Sequence, residues 1–367
     1  MSSRYYSGMR IVHVESGRYL YGGARQVAYL IDALAERGHE SALVCPPGHA
    51  LAARPLRATV REVPMRGDLD VGMTHRLRRV FAELDGDVVH VHSRRGADFF
   101  AGRACERDGR AALLTRRVDN PELRVWARFK YRPYRRIVAI SRAVRNELCS
   151  RAGLDAARVP LIASAVDTRE FRPDAHARSR VLREFALEDR AVVVGVAAQL
   201  IPRKGHELLL RALPELARRV AGVQVLCFGR GPLRASLERL VTELDLSRSV
   251  RFVGFRDDFA TLLPGLDVLV HPAAREGLGL VVLEAMAAGV PVVATAVGGI
   301  GDAVRDGAEG LLVAAGDGLG LVTAIERVAG DSVLRRRLGT AGRSRAEREF
   351  SIAHMADRYV ELYRSVH

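Results

Sequence analysis

Apolar residues along this chain gather in short dense runs, and the segments between the runs follow a different period. In the first half, "IVHVES", "SALVCP", "VVHVHS", "AALLT" and "RIVAIS" are rich in Val, Ile and Leu and bounded by turn residues. Such runs predict strands buried on both faces. After the first of them, "GRYLYGGARQVAYLIDALAERG" sets Val27, Leu30, Ile31 and Leu34 on one side of a 3.6-residue period, with Gly38 where a helix would close. Strands alternating with helices predict an α/β chain with a parallel sheet covered on both faces.

The pattern pauses at "DTREFRPDAHARSRVLREFALEDR" and restarts with "AVVVGVAAQ", followed by "VQVLCFG", "VRFVGF", "DVLVHP", "VPVVAT" and "EGLLV". The pause predicts a boundary near residue 180. One domain then covers 1–180, a second covers 181–350, and a closing helix covers 351–367. The stripe Met355, Tyr359, Leu362 and Val366 lets that helix cap the second domain or return to the first. Two doubly wound domains in succession would face each other across a cleft at the carboxyl ends of their sheets.

Composition sharpens this picture. The 367 residues fit two domains of ordinary size. The net charge of +14 is uneven: residues 1–180 carry 33 Lys+Arg against 20 Asp+Glu, the remainder 24 against 23. A basic field confined to the first half predicts an anionic partner there: a phosphorylated acceptor, an acidic membrane face or nucleic acid. Arginine-rich usage explains Arg over Lys but not the asymmetry. Cys45, Cys105, Cys149 and Cys227 stand far apart, which predicts neither a zinc site nor a disulfide framework and suits a reducing cytoplasm. The opening "MSSRYYSGMR" lacks the apolar core of a signal peptide. The one long apolar window, 277–299, holds Glu284 and Pro291, which argues against a spanning helix.

Candidate chemistry lies in "HPAAREGLGLVVLEAMAAGVPVVATAVGG". Glu276 falls in a glycine-containing loop between a strand and a helix, and Glu284 about two turns into that helix. A helix start offers unpaired N–H groups to an anion, and carboxylates accept hydrogen bonds from sugar hydroxyls. Lys204, in "PRKGH", is one of only two lysines among 57 basic residues, the other being Lys130. A lysine kept in an arginine-rich chain suggests a task for a compact ammonium.

The string Glu276-Gly277-x-Gly279-x4-Glu284-Ala285-Met286-Ala287-Ala288-Gly289-x-Pro291-Val292-Val293 resembles the ExxxxxxxE signature of retaining GT-B glycosyltransferases of family four. Gly22-Gly23, "AISRAV", "VDTREFRP", "PRKGHELLLRALP" and "GRGPL" are weaker matches in the expected order. The resemblance implies two Rossmann-like domains across a cleft. It assigns Glu276 to donor-sugar hydroxyls, Glu284 to the nucleotide ribose, and the Gly277–Leu278–Gly279 backbone to sugar and phosphate. Lys204, with Arg203, would neutralise the diphosphate, so Glu276, Lys204 and Arg203 form the implied catalytic set. Gly229 would line the base side, and Gly22 and Gly23 would approach the reacting centre from the first domain.

Two positions depart from the family pattern. Gln199 stands where an arginine usually precedes the phosphate-binding lysine, leaving Arg203 to offset it. The loop that carries a histidine in the family reads Thr115-Arg116-Arg117, followed by Val118-Asp119. An arginine there would favour a phosphate or carboxylate on donor or acceptor, so His92, Arg116, Arg117 and Asp119 are the acceptor-side candidates. His90 and His92 share a strand face at i,i+2. They lack further ligands at metal spacing, and the resembled family works without a metal or cofactor, so cleft lining is the reading.

"RVWARFKYRPYRR" at 124–136 interleaves basic and aromatic residues and holds the only tryptophan. Such a segment suits RNA binding by stacking, docking at a membrane interface, or a surface helix whose aromatic face packs inward; the resemblance to a transferase favours the inner-membrane surface or a lipid-linked acceptor. The resulting expectation is a cytoplasmic transferase moving sugar from a UDP- or GDP-sugar to an anionic glycan or lipid-linked acceptor. Bacterial lipopolysaccharide core, O-antigen or capsule assembly is the implied setting. The alternatives are a sugar phosphorylase or epimerase of the same fold, and a nucleic-acid-binding protein. The latter is not expected, since no RNA-binding module accompanies the charge.

Overall fold

A computed structural model of the chain describes residues 8–17, 22–92, 96–118 and 122–367. The chain divides into two compact units, Met1–Ala165 with Ile352–His367, and Val166–Ser351.

The first unit is built on six parallel strands: β1 (Arg10–Val14), β2 (Glu40–Cys45), β3 (Thr59–Glu62), β4 (Val88–Val91), β5 (Ala111–Arg116) and β6 (Arg136–Ala139). Their spatial order is β3-β2-β1-β4-β5-β6. The helix Gly22–Glu36 buries Val27, Leu30, Ile31 and Leu34, and the chain turns out of it through Gly38. Each of those fully buried side chains contributes about 1.5–3 kcal/mol relative to exposure.

The second unit repeats the scheme with β7 (Val192–Ala197), β8 (Val223–Phe228), β9 (Val250–Gly254), β10 (Val268–His271), β11 (Val292–Thr295) and β12 (Gly310–Val313). These strands are parallel in the order β12-β11-β10-β7-β8-β9. In both sheets the chain starts at the middle, builds to one edge, and crosses back to build to the other.

The division falls between Ala165 and Val166 rather than near residue 180. The charged stretch after it is packed and not a linker. Phe171 is buried, and Arg178 of the helix Ala177–Glu184 pairs with Asp267 at 2.6 Å. The closing helix Ile352–Val366 belongs to the first unit. Met355, Tyr359, Tyr363 and Val366 enter the core that Leu30 and Leu34 occupy, and Arg37 reaches Asp357 at 2.8 Å. The buried stripe runs through Tyr363, while Leu362 packs at its border.

Candidate functional site

In the second unit the strand order reverses between β7 and β10. A reversal leaves a crevice outside the carboxyl ends of the two strands, because their outgoing connections diverge to opposite sides. β7 leads into the segment with Gln199, Arg203 and Lys204, and β10 into the segment with Glu276, Gly277, Leu278 and Gly279.

Backbone contacts fix these segments together. The Ala274 N–H donates to the Arg203 carbonyl at 2.9 Å. Gly205 has φ +72°, and a Cβ there would sit 1.8 Å from the Pro272 oxygen, so only glycine permits the approach. On the far side, the Glu276 carbonyl accepts from the Gly299 N–H at 3.2 Å, and a Cβ on Gly298 would lie 1.8 Å from that carbonyl oxygen. The Glu276 backbone is thus held from both sides.

Its side chain is equally constrained. Oε2 accepts from the Lys204 ammonium and from His271 Nε2 at 2.9 Å, and Oε1 accepts from the Gly277 N–H at 3.1 Å. Lys204 and Glu276 are 13% and 12% exposed. Burial alone would raise the Glu276 pKa, but the His271 hydrogen bond and the Lys204 charge outweigh it and hold the carboxyl well below the usual range. Burial keeps His271 neutral despite the nearby carboxylate, so Nε2 carries the proton it donates. A carboxylate offers about four acceptor sites. With Lys204, His271 and Gly277 engaged, room remains for a hydroxyl donor.

The other candidates surround this centre. Leu278 is buried and Gly279 precedes the helix Leu280–Ala287 with φ +84°. Glu284 is half-buried on the helix side it shares with Leu280 and Val281, while Val282, Leu283 and Met286 face the core. It therefore sits beside the apolar interior rather than within it. Gln199 is half-buried, Arg203 is exposed, and the Arg203 charge helps to depress the His271 pKa. Gly229 ends β8, where its N–H donates to Gly254 at 2.8 Å and its Cα packs on the Ala198 carbonyl.

Two histidines here carry no motif signal in the sequence. His271 falls inside the strand run "DVLVHP". His206 opens the helix His206–Arg219 and is buried with neither ring nitrogen partnered among the described residues. Burial, with the Lys204 ammonium nearby, brings its pKa down to about 4. Position beside "PRKG" was the one available signal.

In the first unit the sheet reverses between β1 and β4. Gly22 and Gly23 start their helix beside this point, and a Cβ on Gly23 would lie 3.6 Å from Arg117 Cδ. The two arginines of the "TRR" loop separate. Arg116 is buried and donates to Val118 O at 3.1 Å and to Glu122 at 3.0 Å. Arg117 donates to Ser164 at 3.2 Å, while its Nε has no partner among the described residues. Burial lowers the Arg117 pKa, with Tyr359 and Glu15 opposing. Asp119 lies outside the described residues.

His92 does meet His90, with ring centroids 3.8 Å apart, and a third histidine joins them. His13 of β1 lies in register with His90, and its Nδ1 is 2.9 Å from His92 Nε2. One nitrogen from each of the three falls within 4.8 Å of the others, a metal-like spacing. Both nitrogens of His90 are nevertheless engaged at 2.7 Å, by Tyr363 and Thr115 hydroxyls. Burial lowers the pKa of all three, His13 to about 3. The cluster is a neutral hydrogen-bonded network locked by the closing helix.

Comparison with known proteins agrees with this architecture. Residues 179–345 match the family described as Glycosyl transferases group 1, and residues 21–170 match Glycosyltransferase Family 4. Over 218 residues the chain is 38% identical to the GDP-mannose-dependent alpha-(1-6)-phosphatidylinositol monomannoside mannosyltransferase of Mycolicibacterium smegmatis, covering 56% of each chain. The chain spans about half the length of the curated relatives it matches at 38% identity. It is 29% identical over 365 residues to the lipopolysaccharide core biosynthesis glycosyltransferase LpsD of Rhizobium meliloti, covering 97% of this chain and 98% of that one. Among solved structures, HepE of Anabaena in complex with UDP superposes with a TM-score of 0.87 at 20% identity, covering 97% of this chain and all of that one.

Proposed function

The chain belongs to glycosyltransferase family 4 and has the GT-B fold, and from that premise we propose that it transfers a sugar from a nucleotide-sugar donor, with retention and without a metal, to an anionic or lipid-linked acceptor. The observation that carries this reading is the ionised Glu276, held by Lys204 and His271 at the reversal of the second sheet. Its remaining acceptor capacity suits sugar hydroxyls, and Glu284 suits the ribose.

Lys204 is positioned to shift from Glu276 toward a diphosphate, with Arg203 adding charge from the exposed side and the Gly277 loop supplying N–H groups. Stabilising the leaving group in this way is electrostatic catalysis. The bond from the anomeric carbon to the phosphate oxygen breaks, the acceptor oxygen bonds to that carbon from the same face, and its proton passes to the departing phosphate oxygen. With Arg116 paired to Glu122, Arg117 beside Gly23 is the arginine we assign to the role of the family histidine, where it would favour an anionic group on the donor or acceptor.

Relatives named for lipopolysaccharide core synthesis and for mannosyl transfer to a phosphatidylinositol mannoside support an envelope role with a lipid-linked acceptor. The test is to incubate the protein with UDP- and GDP-sugars and short anionic glycolipids and read the product's anomeric configuration by NMR. A product that keeps the donor's configuration supports the reading. Inversion, or turnover that demands inorganic phosphate in place of an acceptor, contradicts it.

A further inference from the structure

One face of the first unit concentrates exposed apolar side chains. Among the described residues nine large apolar side chains stand exposed, and six of them lie in two segments, 68–71 and 122–130, that line one pocket through Asp68 and through Glu122, Trp126 and Lys130. Leu69 and Val71, 94% and 86% exposed, lie in the loop before the helix Met73–Leu84. Leu123, Val125, Trp126 and Phe129 lie at the start and along one side of the helix Arg124–Tyr131. The loop packs on the start of the helix Ala97–Arg107, where a Cβ on Gly96 would fall 2.5 Å from the Gly67 carbonyl oxygen, and Asp68, Gly96 and Trp126 line the same pocket.

The aromatic rings form a continuous patch. Phe99 and Trp126 stack at 5.2 Å, Trp126 and Phe129 lie 6.0 Å apart, and the Arg103 guanidinium covers Phe129 at 3.9 Å. Sequence reading treated the four aromatics of 124–136 alike. The structure divides them: Tyr131 and Tyr134 are buried, while Trp126 and Phe129 are about half exposed. It also adds the loop with Leu69 and Val71, which carried no sequence signal.

The pocket these segments line, about 570 Å³, sets Asp68, Asp98 and Glu122 against Lys130, so its lining is net acidic. Lys130 contacts Asp98 at 2.7 Å and Glu122 at 2.8 Å, and the Tyr131 hydroxyl donates to Glu122 at 2.6 Å. An apolar rim around such a pocket is poorly suited to a dry protein interface, which would seal charged groups from water. It is well suited to a lipid headgroup layer, where rings reach the acyl boundary while polar groups stay hydrated. Arg124, Arg128 and Arg132, on this helix and at its end, are exposed, and the helix has no acidic residue between Arg124 and Tyr131. That charge selects an anionic surface. Among the described residues no helix is long and apolar enough to cross a membrane, so attachment here would be peripheral.

We propose that this two-element face docks the first unit onto an anionic bilayer, with Leu69, Val71, Trp126 and Phe129 at the acyl boundary and Arg124, Arg128 and Arg132 supplying the charge that meets the headgroups. The inference rests on the reading of the acceptor as lipid-linked, and it places that acceptor's membrane against a defined surface.

Trp126 is the chain's only tryptophan, so its emission reports from the face itself. The full chain would be mixed with phosphatidylcholine vesicles with or without phosphatidylglycerol. The expected result is a blue shift of emission with the anionic vesicles only, quenched by lipids spin-labelled near the headgroup. Flotation with those vesicles should fall at least tenfold in the Leu69→Asp, Val71→Asp double variant. Emission that does not shift, whether because vesicles are not bound or because they bind elsewhere, overturns the proposal, as does a folded double variant that floats like the wild type. The emission reading uses the wild type and stands even if the variant fails to fold. Calorimetric nucleotide-sugar binding on the same preparation separates the two claims: its retention without lipid binding rejects docking alone, and its absence rejects the transferase reading while Trp126 still decides docking.

Discussion

His271 Nε2 lies 2.9 Å from Oε2 of Glu276, and Lys204 contacts the same oxygen. A neutral ring and an ammonium together hold one buried carboxylate ionised. A hydrogen bond to a charged group contributes roughly 1.5–3 kcal/mol, so His271→Phe should lower kcat/KM about tenfold or more. Because the ring lowers the Glu276 pKa, its removal should also move the acid limb of the pH–rate profile to higher pH. A profile that keeps its shape while activity falls would assign His271 to packing alone.

Arg116 and Arg117 are neighbours with separate tasks. Arg116→Ala removes one buried partner of Glu122, which Lys130 and Tyr131 still hold, so thermal stability should drop by less than the roughly 3–5 kcal/mol of a carboxylate left unpaired. Arg117→Ala should leave the melting temperature nearly unchanged and lower kcat/KM for an anionic substrate about tenfold or more, the scale of one lost charge-assisted contact. Arg117→Lys should restore part of that loss, since the charge returns without the planar fork. Melting curves and steady-state kinetics on the two alanine variants check the contrast.

The first unit should be acid-labile. His13, His90 and His92 are neutral when folded, with the His13 pKa at about 3, whereas an unfolded ring titrates near about 6.5. Between those values the unfolded state binds more protons, so stability falls as pH drops through that window. At pH 5 the loss is about 2 kcal/mol for His13 alone. Urea unfolding followed through Trp126 at pH 7.5 and pH 5 measures it, and His13→Gln should flatten the dependence.

Both sheets were legible because their interior strands are short unbroken apolar runs. The strand missed, β3, is an edge strand: Thr59, Arg61 and Glu62 are exposed and Val60 is only half-buried, so no buried run marks them. The domain boundary was misplaced because Arg178 and Asp267 are 89 residues apart, and a charged helix bound by such a pair reads as a linker. The loop with Glu276 and the turn with Lys204 were each visible, but their contact spans 72 residues and depends on strand order. His13 joined the histidine cluster through sheet register, which periodicity along one strand cannot supply.

We propose that the second unit binds the donor through Lys204 and Glu284 at the reversal of its sheet. Calorimetric titration of UDP, GDP, CMP and several nucleotide sugars tests it most directly, with the wild type beside Lys204→Ala and Glu284→Ala. One nucleotide should bind selectively, and each substitution should weaken it by about tenfold or more, the scale of a charge-assisted hydrogen bond. No binding by the wild type, or binding that neither substitution alters, would contradict the account.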